Sequence, residues 1–203
     1  MRSILGGLSL LFALFLALPG DAQAQSLAPE AVVRSFNETL IDVMKNGPKL
    51  GFKGRVDKLR PSVGATYDMA SMTKSTLGTA ASKLTPEEAA KLADTYSAFS
   101  VATYAAQFDE WDGERFEVGE PRAAAAGSTI VPSWIVPKAG DATQIDYVMR
   151  QDQGQWKVID VLFDGTVSQV AVRRSEFVSI FRARGFTGLI ETIEKQTVAL
   201  EKK

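Results

Sequence analysis

Gln144-Ile145-Asp146-Tyr147-Val148-Met149-Arg150 and Gln155-Trp156-Lys157-Val158-Ile159-Asp160-Val161-Leu162-Phe163 are the two runs on which the fold turns. In the first, Ile145, Tyr147 and Met149 share one side, and Asp146 and Arg150 share the other. A period of two describes a strand with one buried face. Gln153-Gly154 offers a tight turn between the runs. So short a connection joins antiparallel strands, because a parallel crossover needs about a dozen residues or more. Arg115–Pro121 and Thr129–Val136, upstream, have the same β-branched and aromatic texture, with Gly127, Gly140 and Gly165 as punctuation. The expectation is an antiparallel sheet of about four strands.

The segments flanking this sheet read as helices. Thr85-Pro86-Glu87-Glu88 predicts a helix start: Thr85 caps, Pro86 suits the first helical position and Glu88 reaches back to the cap. The helix runs to about Asp109 with two apolar stripes, one of Ala89, Leu92, Tyr96 and Phe99, the other of Val101, Tyr104 and Phe108. Two stripes predict cover on more than one side. Ser26 to Asn46 carries Val32, Val33, Phe36, Leu40, Val43 and Met44 at helical spacing, and Asn46-Gly47-Pro48 is read as its stop. Phe52 to Leu59 is open between a short helix and an extended segment. Tyr67, Met69, Met72, Thr76 and Leu77 predict one or two short helices ending at Gly78. Ser168–Arg184 and Thr187 to about Leu200 form the closing pair, broken at Gly185. Helices, then strands, then helices describe one α+β domain over residues 25–203, with one sheet face covered.

Composition narrows the function. The 203 residues are 45% hydrophobic and 23% charged, with 23 Lys plus Arg against 24 Asp plus Glu. A net charge of -1 gives no basic excess to hold a phosphate backbone, so nucleic acid is not expected as a partner. There is no His and no Cys. That excludes a Ser-His-Asp triad, a Cys nucleophile, a Cys/His zinc site, an iron–sulfur cluster and His-ligated haem. Acid–base chemistry would rest on carboxylates, Lys or Tyr.

The first 24 residues read as a secretory signal peptide. Arg2 supplies the positive start, Ile4 to Leu18 the apolar run, and Ala22-Gln23-Ala24 the cleavage site, leaving Gln25 as the new N-terminus. The apolar run is shorter than the ~20 residues that span a bilayer. The mature chain is expected to be soluble, exported and free of disulfides.

Few side-chain constellations point to chemistry. Asp109-Glu110-Trp111-Asp112-Gly113-Glu114 fails as a calcium loop, because Phe108 and Gly119 would occupy ligand positions; it reads as a solvated acidic turn. Asp146, Asp160 and Asp164 could pair as acid and base, and read more simply as outward-facing or turn-capping carboxylates. Arg173 and Arg174 open a helix, the wrong end for a dipole argument, and either bind a neighbouring acid such as Glu176 or Asp164 or face an anionic partner.

One longer pattern is more specific. Trp156-Lys157-Val158-Ile159-Asp160-Val161, then Gly165, Ser168, Val170, Arg174, Ser175 and Phe177, resembles the signature of the MlaC/toluene-tolerance (Ttg2-type) family. Tyr67-Asp68-Met69, Leu77-Gly78 and Phe99 to Tyr104 resemble its upstream motifs in the right order. The family's W-then-T-x-x-Q stretch is replaced by Thr79-Ala80-Ala81-Ser82, and position 173, aromatic in the family, is Arg. Gln169 to Phe177 looks more like a branch associated with hopanoid-biosynthesis loci.

The resemblance implies a periplasmic carrier with no catalytic residue, metal or cofactor. Its fold would be a curved antiparallel sheet with helices over one face and an apolar cavity between. Its cargo would be a phospholipid or a hopanoid-type lipid. Its partners would be an inner-membrane ABC-transporter complex and an outer-membrane lipoprotein complex. The sheet would offer Trp134, Val136, Tyr147, Met149 and Val158 to the cavity, and the long helix Tyr104 and Phe108. The short segment would offer Met69, Met72 and Leu77, and the penultimate helix Val170, Phe177 and Phe181. Arg173 and Arg174 would meet a headgroup or a partner. The residues themselves leave two other readings open, a carboxylate-based periplasmic enzyme and an adaptor with a solid core.

Overall fold

The computed structural model describes residues 27–202. The expected signal peptide and its cleavage after Ala24 lie outside the described residues. In order the chain forms α1 (Pro29–Thr66), α2 (Met69–Leu77), a 3-10 turn (Gly78–Lys83) and α3 (Pro86–Gln107). The strands follow: β1 (Arg115–Val118), β2 (Arg122–Ala123), β3 (Thr129–Val131), β4 (Ser133–Val136), β5 (Thr143–Asp152), β6 (Gln155–Phe163) and β7 (Val167–Ser168). The last element is α4 (Gln169–Leu200). Among the described residues no helix is long and apolar enough to cross a membrane.

The α+β class agrees with the sequence, but the sheet corrects the expectation. Instead of a curved sheet of about four strands, seven strands form one open sheet, neither closed nor curved round a cavity. Its order is β1-β4-β5-β3-β2, and it branches where β6 pairs with β5 and then with β7. Proline explains part of the strand count. Pro132 has no N–H to give a ladder and splits one run into β3 and β4. The register continues through it without a slip, from Thr129 opposite Met149 to Ile135 opposite Thr143.

The helices follow the predicted boundaries except in α1, which runs on through Pro48 and Pro61 to Thr66. Both bonds of the capping box form, Glu88 N–H to Thr85 Oγ1 at 3.2 Å and Thr85 N–H to Glu88 Oε2 at 2.9 Å. Helix α1 does not stop at Asn46-Gly47-Pro48. It continues and bends at Gly51, whose φ of 62° and ψ of 176° suit only glycine. Gly47 is needed for a close approach instead, since a Cβ there would overlap the Asp109 carbonyl. Arg55 fastens this joint by donating to Ala105 O at 2.7 Å and Gly47 O at 3.2 Å. Helix α4 breaks at Gly185 (φ 67°), as its sequence predicts.

All three other helices pack against elements of one core. Helix α3 touches α1, α2 and α4, which accounts for its two apolar stripes. The fully buried side chains Phe36, Leu40, Leu59, Leu77, Leu92, Tyr147, Met149, Phe177 and Leu189 join the helices to the inner face of β5.

Candidate functional site

A pocket of about 130 Å³ opens where α2, α3, β6 and the start of α4 meet. Tyr67 and Met72 line it from one side, and Tyr96, Phe99, Ser100, Thr103, Tyr104 and Gln107 from α3. Val161 and Phe163 come from β6, and Gln169 and Arg173 from α4. These positions recur along α3 at three and four residues, so one helix face supplies half the wall.

The pocket is floored by neutral hydroxyls. Tyr67 and Tyr104 meet hydroxyl to hydroxyl. Their rings pack edge-on against Phe36, at 5.4 and 5.2 Å between centroids. Burial raises Tyr67 well above the ordinary tyrosine range and pushes Tyr104 up to about 12. Burial likewise pushes Tyr96 up to about 12, with the Arg173 charge opposing it. All three remain protonated at neutral pH. At the mouth, the Arg173 guanidinium lies 4.8 Å from the Phe99 ring centroid and donates to Glu176 Oε2 at 2.9 Å. The site thus offers apolar surface, uncharged hydroxyl donors and one positioned cation. It holds no nucleophile paired with a base.

The signature residues build the frame of this pocket. A register shift in the β5–β6 ladder leaves Ile159 as an extra residue, since Val148 opposes Asp160 while Met149 opposes Val158. Val158 and Val161 therefore both face inward, and Asp160 turns the other way. The Asp160 carboxylate accepts from Val161 N–H at 2.7 Å, Val170 N–H at 3.0 Å and the Ser168 hydroxyl at 2.5 Å. Ser168 Oγ in turn accepts from Ala171 N–H at 2.9 Å. Together they satisfy the start of α4, the helix that brings Gln169 and Arg173 to the mouth. Upstream, Asp68 N–H donates to Val158 O at 2.9 Å, and Asp68 Oδ1 accepts from Ser71 N–H at 2.8 Å to cap α2. Gly78 has φ 56°, and a Cβ there would overlap the Arg174 guanidinium. The Leu77-Gly78 and Arg174 motifs are thus one contact.

Of the residues expected around a cavity, Met72, Tyr104 and Arg173 line this pocket. Met69, Leu77, Phe108, Tyr147, Met149, Val158 and Phe177 are buried in the core beneath it, and Val170 and Phe181 pack partly buried against that core. Trp134 and Val136 are not brought there. The unbroken register through Pro132 puts Val131, Ser133 and Ile135 inward, so Trp134 faces the opposite side, over Gly119. Arg174 is exposed beside Gly78, outside the pocket lining. Tyr67, Tyr96, Phe99, Ser100, Thr103, Gln107, Val161, Phe163 and Gln169 line the pocket without having been expected there. Extending the Phe99–Tyr104 motif by helical periodicity would have reached Tyr96, Ser100, Thr103 and Gln107.

Other candidate chemistry is accounted for. The buried Asp146 carboxylate accepts from Arg122 Nη2 at 3.0 Å and Gln144 Nε2 at 2.9 Å. Asp160 is committed to α4, and Asp164 sits in a tight turn at φ 51°. Among the described residues no group of three or more His, Cys, Asp or Glu could hold a metal ion. A wider groove of about 610 Å³ lies between α1 and β1. Its rim alternates Arg34, Lys45 and Arg115 with Glu38, Asp42 and Glu114, so it presents no single charge to a ligand.

Comparison with known proteins finds similarity in sequence and in fold. The sequence model of a family described as MlaC protein matches residues 34–195, which include the whole pocket lining. No curated protein sequence matches the chain. Among solved structures, the fold is similar to that of a phospholipid-binding protein from Ralstonia solanacearum, determined in complex with a phospholipid. The TM-score is 0.74 at 20% identity, covering 86% of this chain and 99% of that one.

Proposed function

The chain belongs to the MlaC family, and from that premise we propose that it is a periplasmic carrier that holds a phospholipid in the pocket between α2, α3, β6 and α4. The observation that carries the reading is the pocket itself, an apolar wall with neutral tyrosine hydroxyls and a single held guanidinium at its mouth. The phospholipid in the Ralstonia relative supports it.

The pocket of about 130 Å³ is well short of the roughly 300–1,000 Å³ of ordinary ligand sites. Loading therefore requires the core below to part. Tails enter among Met69, Met72, Tyr147, Met149 and Phe177, beneath the mouth. Each CH₂ withdrawn from water contributes about 0.8 kcal/mol, so ten methylenes supply ~8 kcal/mol toward displacing those contacts. Methionine and aromatic walls suit such a change, being flexible and flat respectively. Arg173 then lies where a headgroup phosphate would stand, and Arg174 where a partner would touch.

The partners implied by the family likeness, an inner-membrane ABC-transporter complex and an outer-membrane lipoprotein complex, belong to this proposal. So does export with cleavage after Ala24. A hopanoid-type cargo is the alternative suggested by Gln169 to Phe177. The enzyme reading has less support, since Asp146, Asp160 and Asp164 are all placed in structural roles. The deciding experiment is mass spectrometry of an organic extract of protein purified from periplasm without detergent. A phospholipid at one per chain is expected. A clean extract, from protein that also takes no lipid from phospholipid vesicles, would overturn the proposal.

A further inference from the structure

We propose that Tyr96 and the Tyr67–Tyr104 pair read the ester carbonyls of a diacyl lipid, so that the pocket selects acyl-ester over ether-linked or hydrocarbon cargo. This rests on the carrier reading above and adds the linkage chemistry that the carrier recognises.

The argument begins with counting hydrogens. Each tyrosine hydroxyl has one hydrogen to donate. Tyr67 and Tyr104 bond each other, and only one of their two hydrogens can lie between the oxygens. Neither hydroxyl has another acceptor among the described residues, so one O–H is left over. Phe36 covers both rings, and Phe108 packs 5.9 Å from the Tyr104 ring; neither phenylalanine lines the pocket. The convergent hydroxyl ends are what these two tyrosines present to it.

Tyr96 supplies a second, independent donor. It is 4% exposed and lines the same pocket. Its ring is fixed between Phe99, stacked at 6.2 Å, and Phe177, edge-on at 5.6 Å. Its hydroxyl makes no hydrogen bond within the described residues. The hydroxyl therefore opens on the pocket, where water or a bound acceptor takes its hydrogen. The raised tyrosine pKa values keep these hydroxyls protonated, each with its hydrogen to donate.

Two spare donors beside an apolar core, with a guanidinium at the mouth, match two acceptors lying between hydrocarbon and an anion. The two ester carbonyls of a diacylglycerol phospholipid stand in that position. A dialkyl ether lacks carbonyls, and a hydrocarbon polycycle offers no acceptor at all.

The test compares two lipids and four proteins. Delipidated mature protein is equilibrated with vesicles of dipalmitoyl phosphatidylethanolamine mixed equally with its dihexadecyl ether counterpart, and bound lipid is measured by mass spectrometry. Wild type should retain the ester about tenfold over the ether, the effect of two modest hydrogen bonds. Tyr96→Phe should lower this preference to about threefold. Tyr104→Phe alone should leave it unchanged, because the Tyr67 hydrogen, no longer shared, takes over the contact. Tyr67→Phe combined with Tyr104→Phe should lower it to about threefold. That double variant replaces both members of a buried pair by apolar rings of the same shape, so its fold is retained. Equal retention of ester and ether by wild type overturns this inference and leaves the carrier reading standing. Retention of neither lipid overturns both.

Discussion

Replacing Asp160 by Ala should destabilise the protein by ~2–3 kcal/mol, and the structure says why. The carboxylate accepts Val161 N–H at 2.7 Å, Val170 N–H at 3.0 Å and the Ser168 hydroxyl at 2.5 Å. Hydrogen bonds to an ionised group contribute about 1.5–3 kcal/mol each, and the site is half-buried, so water recovers part of the loss. Loss of negative charge beside the first turn of α4 removes a further favourable dipole term of ~0.3–1 kcal/mol. Asp160→Asn retains an acceptor for the two backbone N–H groups and should cost only about 1 kcal/mol. Urea titration followed by circular dichroism measures both, and in a chain this size each kcal/mol corresponds to roughly 2–4 °C in Tm. Lipid retention of Asp160→Ala should fall as well, since Gln169 and Arg173 stand on the helix that loses its cap. An alanine variant within about 0.5 kcal/mol of wild type would refute the view that this carboxylate anchors α4.

Two further outcomes follow from the same packing. Gly78→Ala combines a positive φ of 56° with an overlap on the Arg174 guanidinium and should cost ~1–3 kcal/mol; adding Arg174→Ala should recover part of it in a thermal-denaturation double-mutant cycle, and strict additivity would show that the two do not touch. Burial sets Tyr96 and Tyr104 at about 12 in the folded chain against ~10 unfolded, so their contribution to stability is complete below pH 10 and is lost as pH rises toward 12. Absorbance at 295 nm should therefore show tyrosine ionisation coinciding with unfolding in that window, and ionisation of all four tyrosines near pH 10 in a folded chain would contradict the burial.

Local signals carried most of the helical architecture. The Thr85 capping box, the Gly185 break and the alternation of Ile145, Tyr147 and Met149 need only neighbouring residues to be read. What failed depends on partners far along the chain. Pro48 is a stop by local chemistry, yet α1 runs past it because Arg55 and the end of α3 hold the joint. The expectation that Trp134 and Val136 face inward fails because nothing local tells whether pairing slips at Pro132. The register to β5 decides it, and a one-residue difference reverses every side chain. Strands of two residues, such as β2 and β7, are too short to show a period. In the site, Tyr67 was visible as part of a motif, but its hydroxyl partner lies 37 residues away on α3.

The open ends of the sheet bear on how such a protein survives at high concentration. An unclosed sheet leaves rows of unpaired main-chain groups, which template edge-to-edge aggregation. Here each end is blunted. Strand β1 has four residues, and Arg34 from α1 donates to the Val118 carbonyl at 3.0 Å. Strand β2 has two exposed residues and passes almost at once into the Ala125–Gly127 turn. Strand β7, also of two residues, runs directly into α4. Strand β5 is paired on both sides, and the outer edge of β6, which β7 meets only at Leu162 and Phe163, is met by the Tyr67-Asp68 segment, where Asp68 N–H donates to Val158 O at 2.9 Å. Under the proposed carrier reading, a core that parts for a guest would thus sit behind a sheet whose outer strands are short or met by helical segments, which limits edge-to-edge pairing with another copy.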